Sequence, residues 1–200
     1  MKILFVNACP RGAASRTLAL AKTFLEELRD AAPETEIITH DLCEMNLQPV
    51  TAQTLAIKES LCDKRDWQHP MLGPASDFVS ADAVFIAAPY WDLSFPSMLK
   101  IWVEHMYVRN LTFHYENDRC IGHARGKRAV YITTAGSPIG ENDWGAAYMR
   151  AVMKALGIPA FTSLRAEALD LDSSDVQAIL AQTQGQVRQA ARELALVLRS

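Results

Sequence analysis

The chain has 200 residues, half of them apolar and 22% charged, with a formal net charge of −3 at pH 7. This length and composition suit one domain, residues 1–200, with a substantial core. The charge balance argues against nucleic acid or an anionic membrane as partner, and no apolar run reaches the length of a membrane span.

Strand and helix patterns alternate from end to end. Lys2–Asn7 reads as a first strand; Asn7, Pro10, Arg11 and Arg16 break the apolar start before a leader could form, which points to a cytoplasmic protein. Ser15–Arg29 carries Leu18, Ala21, Phe24, Leu25 and Leu28 at helical spacing. Glu36–Thr39 is a second strand. Short helices are expected near Thr51–Leu61 and Ala75–Ser80, with a loop around Trp67–Pro74. Ala83–Ala88 is a short apolar run of buried-strand type, ended by Pro89. Pro96–Val108 is the next helix, its proline suited to a first turn. Lys127–Thr133 is a fourth strand. Trp144–Leu156 is a helix stopped at Gly157. Phe161–Leu164 is a fifth strand, and Ser174–Leu198 a closing helix whose weak point is Gly185. Such alternation implies an α/β fold, a parallel sheet with helices on both faces.

Cys9, Cys43, Cys62 and Cys120 form no C-x-x-C pair, and the five histidines show no metal-ligand spacing, so no metal site is expected. The cysteines of a cytoplasmic chain are expected to be reduced.

In an open α/β sheet, ligands sit at the loops that follow the strands. Three such loops carry chemistry. Ala8–Thr17 leads into a helix capped by Ser15; small residues admit an anion to the helix N-terminus, and Ser15, Arg16 and Thr17 add donors. An ordinary capped helix would look the same. Pro89–Phe95 presents Tyr90 and Trp91, which suit a flat ring, although aromatics in a loop also plug local cores. Thr133–Gly140 holds small hydroxyl residues and glycines that bring backbone groups near a ligand, or that simply make a turn. Together they match a phosphate, a flat ring and a polar ring edge.

In order and spacing, the three loops resemble those of the flavodoxin-like NAD(P)H:quinone oxidoreductases and FMN-dependent azoreductases. The resemblance rests on Ser15–Thr17, on Ala88-Pro89-Tyr90-Trp91-Asp92 through Pro96 to Leu99-Lys100, and on Thr133-Thr134-Ala135-Gly136; Leu111-Thr112-Phe113-His114-Tyr115 extends it. It implies a five-stranded parallel sheet of order 2-1-3-4-5, FMN as cofactor and NADH or NADPH as co-substrate. It implies two-electron, ping-pong reduction of a small-molecule acceptor: a quinone, azo or nitro compound. It also implies a homodimer, with Trp102, Met106 and Tyr107 as candidate contacts or, equally, as core. Cys9, Ser15, Arg16 and Thr17 would lie at the phosphate; Pro89, Tyr90, Trp91, Asp92 and Leu93 would line the ring; Thr134, Ala135, Gly136 and Ser137 would face its edge. FMN would carry the chemistry, with no catalytic side chain. Three positions depart from the family pattern. Cys9 replaces a common serine, Ser137 a glycine, and Asp92 an amide; an acid at 92 opposes reduced flavin unless it points away.

Two other readings compete. A flavin-binding regulatory subunit or electron carrier would share the fold, although carriers are usually more acidic than this chain. Low-molecular-weight tyrosine phosphatases also begin with a Cys…Arg-[ST] loop, but with five residues between Cys and Arg, where Cys9 and Arg16 have six.

Overall fold

Both faces of a central sheet are covered, as the near-continuous apolar strands require, in a computed structural model that describes residues 1–199. In chain order the elements are β1 Lys2–Asn7, α1 Arg16–Ala31, β2 Glu36–Asp41, α2 Ala52–Lys64, α3 Gly73–Ser80, β3 Ala83–Ala87, α4 Ser97–Met106, β4 Phe113–Glu116, β5 Arg119–Gly122, β6 Arg128–Thr134, α5 Trp144–Ala155, β7 Ala160–Ala166 and α6 Val176–Arg199. The five parallel strands run β2-β1-β3-β6-β7. The expected five-stranded flavodoxin-like α/β sheet is present. Its order in chain numbering is 2-1-3-6-7 rather than 2-1-3-4-5, because an antiparallel hairpin, β4–β5, intervenes.

Side-chain alternation splits the core in two. Ile3, Phe5, Phe85, Ala87, Val130 and Ile132 face α1 and α6, where they meet Leu20, Phe24, Leu28, Val187, Ala191 and Leu194. Leu4, Val6, Val84, Ile86 and Tyr131 face the other way, against Phe78, Leu99, Trp102, Met106, Met149 and Met153. Trp102 and Met106 are fully buried in this second layer, so they are core and not an exposed contact; Tyr107 is half-buried. α6 runs unbroken through Gly185.

The hairpin turns at Asn117 and Asp118, whose φ values of 48° and 60° suit a two-residue primed turn. It rests on the end of α5 by close backbone approach: a Cβ at Gly122 would run into the Leu156 backbone. β1, β3, β6 and β7 all deliver their following loops to one edge of the sheet, where the candidate site lies.

Candidate active site

The first wall is built by the β1–α1 connection. A short 3-10 turn, Gly12–Ala14, brings the chain to Ser15, the N-cap of α1. Ser15 Oγ accepts from Leu18 N at 3.2 Å, and Ala19 N donates to the Ser15 carbonyl at 3.0 Å. The first N–H groups of a helix have no carbonyl one turn back. Those of Arg16 and Thr17 are therefore left as donors at the positive end of a sixteen-residue helix. Thr17 and Thr134, both buried, share a hydroxyl hydrogen bond of 2.7 Å that ties this wall to the end of β6.

The second wall follows β3. Tyr90 N donates to the Thr134 carbonyl at 2.9 Å, which fixes the loop to β6. Trp91 and Ser94 then exchange backbone hydrogen bonds of 2.8 and 3.3 Å around a two-residue turn. Asp92 and Leu93, at φ 50° and 67°, occupy the left-handed region without being glycine. Such strain of about 1 kcal/mol per residue concentrates at working sites. The turn holds Trp91 40% exposed beside the cleft and leaves Leu93 66% exposed at its tip.

The third wall is the end of β6. Thr134 and Gly136 line the cleft; Ala135 does not, because its N–H donates to the Ala166 carbonyl and its carbonyl accepts from Leu169 N. The expectation that Ala135 presents backbone groups to a ligand is thus not met: the loop after β7 has taken both. Gly136 is fixed by close packing, since a Cβ there would run into the Asp170 carboxylate.

Ser15, Arg16, Thr17, Pro89, Tyr90, Trp91, Thr134 and Gly136 meet around one cleft of about 140 Å³. Cys9, Asp92, Leu93, Ala135 and Ser137 lie outside its lining. Cys9 is buried behind it, with Sγ 3.5 Å from the Ala87 carbonyl, and burial pushes its thiol up to about 11, against a weaker opposing contact from Ser15. It is therefore a thiol at neutral pH, which removes the nucleophile that a phosphatase would need. Asp92 and Ser137 are exposed; with Asp92 off the cleft, its charge does not bear directly on a ligand there.

Ala14, one of the small residues of the first loop expected to admit an anion, also lines the cleft; so do Pro10 and Arg11 of that loop and Asp170, to which no role had been given. Asp170 belongs to a fourth loop, after β7, whose acidic Asp170-Leu171-Asp172 run follows a strand like the other three loops do. It pairs with Arg16 at 2.6 Å, while Arg16 also donates to the Leu169 carbonyl at 2.9 Å. Arg16 is thus committed to holding that loop. Arg11, exposed at the rim and without a carboxylate partner among the described residues, is the cation left for an anion.

The donor set fits FMN. Two helix N–H groups, hydroxyls and Arg11 suit a phosphate; the Trp91 indole and Tyr90 suit a flat ring; the Gly136 N–H suits a polar edge. The cleft encloses too little volume for the whole cofactor, so it suits the phosphate end, and Trp91 in its lining would be available to the ring.

Comparison with known proteins gives the same picture. A family model described as the flavodoxin-like fold matches residues 1–191. The FMN-dependent NADH:quinone oxidoreductase 2 of Clostridium acetobutylicum is 36% identical over 200 aligned positions, covering 96% of this chain and 98% of that protein. An FMN-dependent NADH:quinone oxidoreductase of Clostridium beijerinckii is 31% identical, with 96% and 98% covered. Among solved structures, an azoreductase from Bacillus anthracis superposes with a TM-score of 0.86 at 19% identity, covering 96% of this chain and 99% of that one. A second from that organism, an FMN-dependent NADH-azoreductase in complex with FMN, gives 0.85 at 23% identity, covering 97% and 99%.

Proposed function

The chain belongs to the flavodoxin-like fold family, and we propose that it is an FMN-dependent NAD(P)H oxidoreductase acting on quinones, with azo and nitro compounds as further acceptors. The observation that carries this is the cleft that joins the free Arg16 and Thr17 N–H groups at the start of α1 to a strained aromatic turn. An ordinary surface helix has no need of such a turn, and a ring with a phosphate tail has need of both. The relatives named as FMN-dependent NADH:quinone oxidoreductases support the same reading and favour NADH as donor.

When bound, FMN supplies the chemistry, accepting a hydride from the nicotinamide and giving two electrons to the acceptor. The chain's own part is positioning and exclusion of water. Ser15 holds α1 so that the Arg16 and Thr17 N–H groups meet the phosphate. Arg11 adds the cation, and Arg16 keeps the Asp170 loop closed against Gly136. Trp91 would support the ring, held in place by the Trp91–Ser94 turn.

The whole chain serves as one FMN-binding domain, working as a homodimer on a small-molecule acceptor. A cytoplasmic location goes with this reading. Titrating FMN into the purified protein should quench tryptophan fluorescence through Trp91, and the loaded protein should oxidise NADH with a benzoquinone. No change in either protein or flavin fluorescence at saturating FMN would sink the proposal. Binding without turnover would turn it toward a regulatory flavin module.

A further inference from the structure

A second cleft, of about 360 Å³, opens on the same edge of the molecule between the start of α5 and β7, within the size range of small-ligand sites. Its lining includes Trp144, Arg150 and Arg165. Trp144 stands at the first position of α5 with 58% of its surface exposed. Core packing does not explain an indole there. Arg150 has no carboxylate partner among the described residues; its guanidinium lies 5.1 Å from the Phe161 ring centre. Arg165 is loosely held, 3.3 Å from the Gly140 carbonyl and 3.4 Å from Glu167.

Two carboxylates share the cleft. Asp143 caps α5, accepting from Ala146 N at 2.8 Å, and Glu141 is exposed on the loop. The charges on the cleft therefore nearly cancel. A bare anion gains little there, whereas a ligand with both an aromatic face and phosphates can use the indole and the guanidinium groups at once.

One segment joins this cleft to the first. Gly136 walls the FMN cleft, and the second cleft begins five residues later at Glu141. The strained turn touches α5 as well: the Ser94 carbonyl lies 3.2 Å from where a Cβ on Gly145 would stand. A ligand whose one end meets the flavin and whose other end carries a purine and a pyrophosphate has the composition that the pair of clefts calls for.

We propose that the α5–β7 cleft holds the adenosine diphosphate half of the NADH donor, with Trp144 against the purine and Arg150 and Arg165 on the pyrophosphate. This rests on the proposed function, since it supplies the donor with a handle outside the pocket it shares with the acceptor. Calorimetry with ADP on the purified protein should show binding, and inorganic phosphate should show none. Trp144→Ala and Arg150→Ala should each weaken ADP about tenfold while FMN affinity stays within about twofold. ADP should compete with NADH. The same variants should raise the KM for NADH by a similar factor, and the rise should be absent with reduced nicotinamide mononucleotide, which lacks the adenosine half. Failure of ADP to bind a protein that does reduce quinones would overturn the assignment. So would an equal effect of the variants on both donors, or ADP binding that leaves NADH turnover untouched. Loss of FMN binding in the wild type would instead strike the functional reading.

Discussion

Ser15 has two duties at one point of the chain, and they can be separated. Its hydroxyl caps α1, and its position lines the cleft. Ser15→Asp keeps a competent cap but sets a negative charge beside the expected phosphate. At surface-like dielectric that repulsion amounts to roughly 2–3 kcal/mol, on the order of a hundredfold in FMN affinity. Riboflavin, without the phosphate, should bind the variant about as it binds the wild type. Equal weakening of both would show that Ser15 does not face the phosphate. Side-chain roles were the least legible part of the site. Arg16 reads as a phosphate ligand until Asp170, 154 residues away, takes its guanidinium; nothing local in the sequence announces that partner. Ala135 fails in the same way, through Ala166 and Leu169. The loop that captures both is itself strained at Ala168, with φ 63°. Unlike Leu93, Ala168 has no side chain beyond Cβ to justify the strain. Ala168→Gly should therefore raise stability by about 0.5–1 kcal/mol, a gain of a few degrees in Tm, measured by thermal unfolding; a lower Tm would contradict the backbone argument.

The elements themselves were legible, because each carries its own periodicity. Most boundaries moved by only a few residues: α2 extends to Lys64, β2 to Asp41, and β7 gains a residue before Phe161 and two after Leu164. The β4–β5 hairpin was missed although its signal was present, an Asn117-Asp118 turn between short runs. Those runs are mostly half-exposed or exposed, so no apolar stripe marks them. A tertiary link between elements is equally invisible to periodicity. His40, buried at the end of β2, accepts from Trp102 Nε1 at 3.0 Å through Nδ1 and lies 3.1 Å from Asp77 Oδ2 through Nε2. An indole nitrogen can only donate, so Nδ1 carries no proton and Nε2–H faces Asp77. β2, α3 and α4 are thereby joined around a neutral imidazole. Burial lowers the His40 pKa from 6.5, against a smaller opposing pull from Asp77. The unfolded chain then takes up the proton more readily than the folded one. The His40 contribution to stability is complete above about pH 6.5 and is lost as pH falls from there toward the folded value. Denaturant unfolding between pH 7 and 5 should show this decline, and His40→Gln should flatten it. An unchanged slope in the variant would mean that His40 is not the titrating group.

At the scale of the whole molecule, the sheet explains why four loops from distant parts of the chain form one site: parallel strands put all their carboxyl ends on one edge. It does not explain what covers that site. The FMN cleft encloses only about 140 Å³, and the apolar side chains of its turn stay exposed, Trp91 at 40% and Leu93 at 66%. A groove whose walls include Phe95, Tyr148 and the stem of Lys100 continues the same surface. Contiguous apolar surface of this kind marks an interface, and a second copy of the chain would cover the open side of the ring while burying Leu93. In such a dimer the Leu93 side chain would gain by burial what its left-handed backbone gives up. Sedimentation of the FMN-loaded protein should report twice the 22.2 kDa chain mass. Leu93→Asp places a charge in the contact without altering the core. It should shift the mass toward a single chain at micromolar concentration and loosen FMN by at least tenfold, since burying an unpaired carboxylate opposes association by several kcal/mol. A wild-type protein that sediments as one chain while holding FMN tightly would rule out the second copy as the missing wall, and the exposed tip of the turn would then need another partner.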